Sequence, residues 1–188
     1  MTLSDEVLIE GCKNHNRHMQ EKLYQKYSRS MYVVALRYSR MQQEAEDILQ
    51  EAFVKVFQSI ERFRGESSLP YWIKRIVVNT ALNHQRSKLY LFPMVDVMEM
   101  KDQGKESNIL SEFGHEELLK MVQELPDGCR VIFNLYAIEG YKHQEIAKML
   151  DISEGTSKSQ YARAKSLLQA KVINHYGKQY ERQREYGR

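Results

Sequence analysis

Proline is scarce in this 188-residue chain, with three residues at 70, 93 and 126, so long stretches are free of the strongest helix breaker. Cysteine occurs twice, as Cys12 and Cys129, with no C-x-x-C pair. This argues against a disulfide framework or a cysteine zinc site and fits a reducing compartment. No apolar run approaches the ~20 residues that span a bilayer, and the N-terminus lacks a basic-then-apolar signal pattern. The expectation is a soluble cytoplasmic protein. Neither sign of charge dominates: 28 Lys and Arg face 25 Asp and Glu, a net of +3. Such a balance permits nucleic-acid binding without demanding it, so the distribution of charge decides. Hydrophobic residues make up 42%. With the nine glycines the apolar share nears the ~45–50% of globular chains, which excludes wholesale disorder.

What is present is helical periodicity. Met19, Leu23, Tyr27, Met31, Val34 and Tyr38 recur at spacings of three or four, one stripe of a helix from about 15 to 38. Between Gln42 and Arg62, Ala45, Ile48, Leu49, Ala52, Phe53, Val56, Phe57 and Ile60 form a second stripe. The opposite face there holds Glu44, Asp47, Gln50, Glu51, Lys55 and Gln58. Residues 63–68 break the pattern as a loop. Ser68 and Pro70 suit the start of a further helix running to about Lys88. Residues 89–115 carry Pro93, Gly104 and Gly114 and a net charge of −3 (two basic, five acidic), and read as a linker. Extended, it could reach ~90 Å, and as a flexible coil about 30 Å. It separates a segment 1–88 of net +4 (14 basic, 10 acidic) from a segment 116–188 of net +2 (12 basic, 10 acidic). The second segment reads as helices at 116–124, from Asp127 to Gly140, at 143–150, and from Glu154 to about Tyr176. Residues 177–188 follow as a frayed basic tail. With no period-two alternation, the expected fold class is all-α, two small helical domains joined by a flexible linker.

Gln144 to Thr156 has the pattern of a helix-turn-helix. Ala147 permits close crossing, Ile146, Leu150 and Ile152 form a small core, and Ser153 caps the second helix, whose first turns then face outward for a major groove. Asp151 stands at a turn position that favours glycine, and Asp tolerates the left-handed conformation better than most residues. Lys158, Ser159 and Arg163 fall on or near one face, whereas Ser157 and Gln160 stand where apolar and basic residues are common. The bland alternative is a helical hairpin with a solvated basic face. In the first segment, Arg75, Asn79, Asn83 and Arg86 form one polar stripe, and asparagine is a poor helix-interior residue. Asn can pair with base edges, and Arg with bases or phosphate. Trp72 is expected in the core rather than as a stacking platform. Asp47, Gln50 and Glu51 make either a solvated or a docking face. A catalytic carboxylate pair there would lack an environment that shifts its pKa. His143-Gln144-Glu145 matches half of a zinc-deaminase signature, but no P-C-x-x-C follows. No Walker loop, G-x-S-x-G or H-E-x-x-H is present. Neither a catalytic site, a metal nor a cofactor is expected.

Four ordered segments then combine: Asp47 to Phe53, Phe63 to Ser67, Trp72 to Ala81, and Leu125 to Ala164. Together they resemble a bacterial RNA polymerase sigma factor of the sigma-70 family, extracytoplasmic-function (ECF) group, over roughly residues 5–88 and 116–170. The resemblance implies a domain at 1–88 similar to region 2 and one at 116–176 similar to region 4. It implies core-polymerase docking through Asp47, Gln50, Glu51 and Phe53. Minus-ten recognition and melting would fall to Arg64, Gly65, Glu66 and Ser67 with Arg75, Asn79, Asn83 and Arg86, one base flipping into the loop. Minus-thirty-five reading would fall to Glu154, Thr156, Lys158, Ser159 and Arg163. Implied partners are core RNA polymerase, promoter DNA and an anti-sigma factor. Two rivals predict otherwise. A helix-turn-helix repressor with a sensor module predicts a ligand pocket or a symmetric interface. A DNA-acting enzyme using Asp47, Glu51 and His84 predicts metal dependence.

Overall fold

The computed structural model describes residues 3–89 and 115–186. The expected linker lies almost wholly outside the described residues, as does the very end of the tail. The chain divides into two units, Met1–Ser87 and Lys88–Arg188. Among the described residues there is no strand. No helix among them is long and apolar enough to cross a membrane.

Unit 1 holds α1 (Asp5–Lys13), α2 (Arg17–Tyr38), α3 (Gln42–Ser59), a 3-10 turn (Ile60–Arg62) and α4 (Leu69–Leu89). The sequence reading did not separate α1 from what precedes α2. Short polar residues punctuate this corner. Ser4 accepts from the Val7 amide, and the Asn16 side chain accepts from the amides of His18 and Met19 at 3.0 and 3.2 Å. Each bond satisfies an amide that a helix start leaves without a partner. The core is built from the expected stripes, with Leu23, Ala45, Ile48, Ala52 and Val56 fully buried, joined by Ile73, Val77 and Ala81 of α4. A buried amide fastens the end of α4. Gln85 Nε2 donates to the Tyr38 carbonyl at 3.0 Å and to Glu44 Oε1 at 2.9 Å. Glu44 in turn accepts from the Arg40 amide at the start of α3.

Unit 2 holds α5 (His115–Gln123), α6 (Asp127–Phe133), α7 (His143–Leu150) and α8 (Glu154–Tyr186). Met121, Val122, Leu125, Cys129, Phe133, Ala164, Leu168 and Val172 pack as one cluster. The helix expected from Asp127 to Gly140 changes character midway. Residues Asn134–Ile138 form a π-helical turn, in which the Glu139 amide reaches the Asn134 carbonyl. The extra residue rotates Tyr136 and Ile138 outward, to 37% and 39% exposure, rather than into the core with Val131, Ile132 and Leu135. Arg130 is wholly buried. It donates to the carbonyls of Gln123 and Leu125 and pairs with Asp127, which fastens the α5–α6 corner. Cys12 and Cys129 are buried free thiols. The backbone of α8 is helical to Tyr186 rather than frayed beyond 176. Apart from Gly177, residues 177–186 are mostly Lys, Gln, Glu and Arg, all good helix formers.

Candidate nucleic-acid interface

In unit 1 the loop after the 3-10 turn closes one side of a cleft of about 750 Å³. Its wall is formed by Glu61, Arg62, Phe63, Arg64, Glu66, Ser67, Tyr71, Trp72 and Arg75. Gly65 turns the loop at φ +74°, in the left-handed region. Phe63 is buried, and its ring lies 5.1 Å from that of Trp72. Trp72 is therefore not simply core. One part of it packs on Phe63 while another part faces the cleft, beside a Tyr71 that is 46% exposed. Sequence periodicity could not separate these roles, because a half-buried ring at a helix start satisfies both. A cleft of this volume with aromatic walls suits a flat ring (ligand pockets run to ~300–1,000 Å³), and the arginines suit phosphate.

Along α4, Arg75, Asn79 and Asn83 are exposed on the face away from Val77, Ala81 and the fully buried Gln85. Arg86 follows on the same helix, with a side chain outside the described set. The stripe from 75 to 86 is about 16 Å long, the length of four to five base steps at ~3.4 Å each.

On α3, Asp47, Gln50 and Glu51 are exposed. Phe53 is not. It lies in the core as its place in the apolar stripe predicts, 2% exposed and meeting Tyr24 edge-on at 4.7 Å. In this structure it holds α3 against α2. Val54, 54% exposed, stands on the polar face instead, a turn beyond Gln50 and Glu51. Glu51 is more occupied than its exposure suggests. It pairs with Lys55 at 2.6 Å and accepts from His84 Nε2 of α4 at 2.5 Å. The bonds from Lys55 and then His84 hold its carboxyl below the usual glutamate range. Among the described residues, no group of three or more His, Cys, Asp or Glu gathers to hold a metal ion.

In unit 2, α7 and α8 form the expected helix-turn-helix. Asp151 adopts φ 55°, ψ 50°, as its place in the turn requires. Ser153 Oγ accepts from the Thr156 amide at 2.9 Å. Lys158 is exposed and paired with Glu154 at 2.7 Å, which lowers the Glu154 carboxyl pKa. Ser159 donates to the Thr156 carbonyl, and Arg163 is half-buried on the side of Cys129. The two residues that depart from the common pattern have internal partners. Gln160 accepts from Cys129 Sγ at 3.0 Å. Ser157, fully buried, shares a 2.9 Å hydrogen bond with His143 Nδ1 at the start of α7. His143 stacks on Tyr136 at 4.2 Å and meets Tyr161 edge-on. Burial, and then the nearby Lys158 charge, push its pKa down, against a smaller opposing effect of Glu154. This aromatic latch escaped the sequence reading, since the outward Tyr136 depends on the π-helical turn.

A helix-turn-helix in one unit, and in the other a polar stripe leading to an aromatic-walled cleft, have the character of a DNA-binding protein. A model of Sigma-70 region 2 matches residues 23–89, and one of Sigma-70, region 4 matches residues 115–168. Similar curated proteins include the ECF RNA polymerase sigma-E factor of Haemophilus influenzae, 28% identical over 182 residues, covering 90% of this chain and 96% of the relative. The sigma-E factor of Escherichia coli K12 is also 28% identical over 182 residues, covering 90% and 95%. Among solved structures, the sigma factor RpoE in complex with the anti-sigma factor NepR from Bartonella quintana has a TM-score of 0.49 at 19% identity, covering 82% of this chain and 96% of that one. The chain belongs to the sigma-70 family of RNA polymerase sigma factors, in its ECF group.

Proposed function

We propose that this sigma factor acts in the cytoplasm and divides promoter recognition between its two units. Unit 1 docks on core RNA polymerase through Asp47, Gln50 and Glu51, with Val54 as an apolar contact on the same face. Its Arg64–Ser67 loop and the stripe of Arg75, Asn79, Asn83 and Arg86 open and hold the minus-ten element. Unit 2 reads the minus-thirty-five duplex with Glu154, Thr156, Lys158, Ser159 and Arg163. An anti-sigma factor is the further partner that membership of the ECF group implies.

The observation that carries this reading is the cleft beside the loop. Melting needs a place for an unstacked base, and capture of one base offsets the few kcal/mol that unstacking costs. Stacking on an aromatic side chain contributes roughly 1–3 kcal/mol per base, and Tyr71 and Trp72 stand where such a base would lie. Duplex reading needs no such cleft, so a helix-turn-helix suffices in unit 2. Two tethered modules can each bind weakly and still hold together strongly. The test is runoff transcription with purified core polymerase on genomic fragments. Defined start sites that require the added chain support the reading. Operator binding by the chain alone, with no transcript, refutes it in favour of a repressor.

A further inference from the structure

We propose that α1 braces the loop of the minus-ten cleft and that Lys13 is a positioning residue for base capture, an inference that rests on the reading of the cleft above. The segment matched by the region 2 model begins at residue 23, so α1 lies outside it. Yet α1 is built into unit 1. Leu8 and Cys12 are each 1% exposed. A Cβ on Gly11 would lie 2.3 Å from Met19 Cγ, so the α1–α2 corner is closely seated. His15 completes the corner at φ 53°.

From this corner two side chains reach residues of the cleft wall, 50 and 46 positions away in sequence. Lys13 Nζ donates to the Phe63 carbonyl at 3.3 Å. His15 Nε2 lies 3.1 Å from Glu61 Oε1. Glu61 and Phe63 both line the cleft. The Phe63 ring backs Trp72, so the chain of contact runs from α1 through the Phe63 backbone to the aromatic wall. The His15–Glu61 pair is highly exposed and adds little by itself. The Lys13 bond is part-buried and charge-assisted, and carries the brace. Lys13 is directed at a backbone carbonyl, so its role is to hold the wall rather than to touch DNA.

The experiment uses holoenzyme and a single-stranded minus-ten oligonucleotide, selected with the wild-type protein from a random pool. An abasic site is moved along it to find the captured position. Lys13→Met should weaken binding of the intact strand about five- to tenfold, less than the full loss of a charge-assisted hydrogen bond because that bond holds the wall and not the strand itself. It should bind the strand abasic at the captured position as wild type does, with unchanged affinity for core polymerase and an unchanged salt slope. Lys13→Met that binds the intact strand normally overturns the brace. So does equal weakening on intact and abasic strands, whether from a lost phosphate contact, which also lowers the salt slope by about one, or from general loss of packing in unit 1. If wild-type holoenzyme itself does not distinguish any abasic strand from the intact one, the base-capture reading fails, independently of Lys13.

Discussion

Residues that the family resemblance groups on one docking surface divide sharply in the fold. Asp47 and Phe53 stand within two turns of one helix, yet one is exposed and the other is 2% exposed. Phe53→Ala should destabilise unit 1 by about 3–5 kcal/mol, as large-to-small core changes do, in denaturant melts. Asp47→Arg should stay within ~0.5 kcal/mol. Gly65 is needed for its backbone alone. A Cβ there would meet nothing within 4 Å, but φ is +74°. Gly65→Ala should therefore cost about 1–2 kcal/mol without any clash, measured by the same melts, and an unchanged melt would show that the loop adapts. His143 supplies a pH test. Its neutral form is favoured in the fold, so the unfolded chain binds the extra proton first. Its contribution to stability is full above 6.5 and is lost as pH falls through its lower folded value. An NMR titration of the His143 ring should give a midpoint below 6.5, and a midpoint above it would contradict this part-buried setting beside Lys158.

At the scale of helices, α2, α3, α5 and α7 were legible because their apolar residues recur with an unbroken helical period. The Asp151 turn and Ser153 cap were legible because each residue has one strong local conformational role. What escaped depends on contacts distant in sequence. Nothing local marks Lys13 as a partner of Phe63, or Glu51 as a partner of His84. The π-helical turn at 134–138 has no proline or glycine to announce it, and it alone decides that Tyr136 faces His143 rather than the core. The region 2 and region 4 motifs pointed to surfaces without telling Phe53 from Val54. The α8 face gives a prediction at this scale. Lys158 is exposed and paired with Glu154 in the free protein, and on the proposed reading it leaves that pair to meet DNA. Lys158→Ala with Arg163→Ala should weaken minus-thirty-five duplex binding. A lost base contact costs about 1–3 kcal/mol, and a lost phosphate contact lowers the salt slope by about one. Filter binding across a salt series checks this, and unchanged affinity would remove the face from the interface.

For the whole molecule, unit 1 has on the proposed reading two separate functions, docking and melting. The docking face must be dispensable for folding. Glu51 is not ideal for testing this, because it joins α3 to α4 through His84. Asp47→Arg with Gln50→Arg is cleaner. It should melt within about 0.5 kcal/mol of wild type and yet fail to assemble with core polymerase in a pulldown, because charges of the wrong sign repel a complementary partner. Normal assembly by a normally folded variant would leave that face merely solvated. Melting is the central claim, and permanganate footprinting of holoenzyme on a promoter found by runoff transcription tests it most directly. Wild type should expose reactive thymines across the minus-ten element. Asn79→Ala with Asn83→Ala should bind core polymerase and the promoter but leave those thymines protected, with transcription largely restored on a premelted template. Full thymine reactivity in that double variant would contradict a melting role for the α4 stripe.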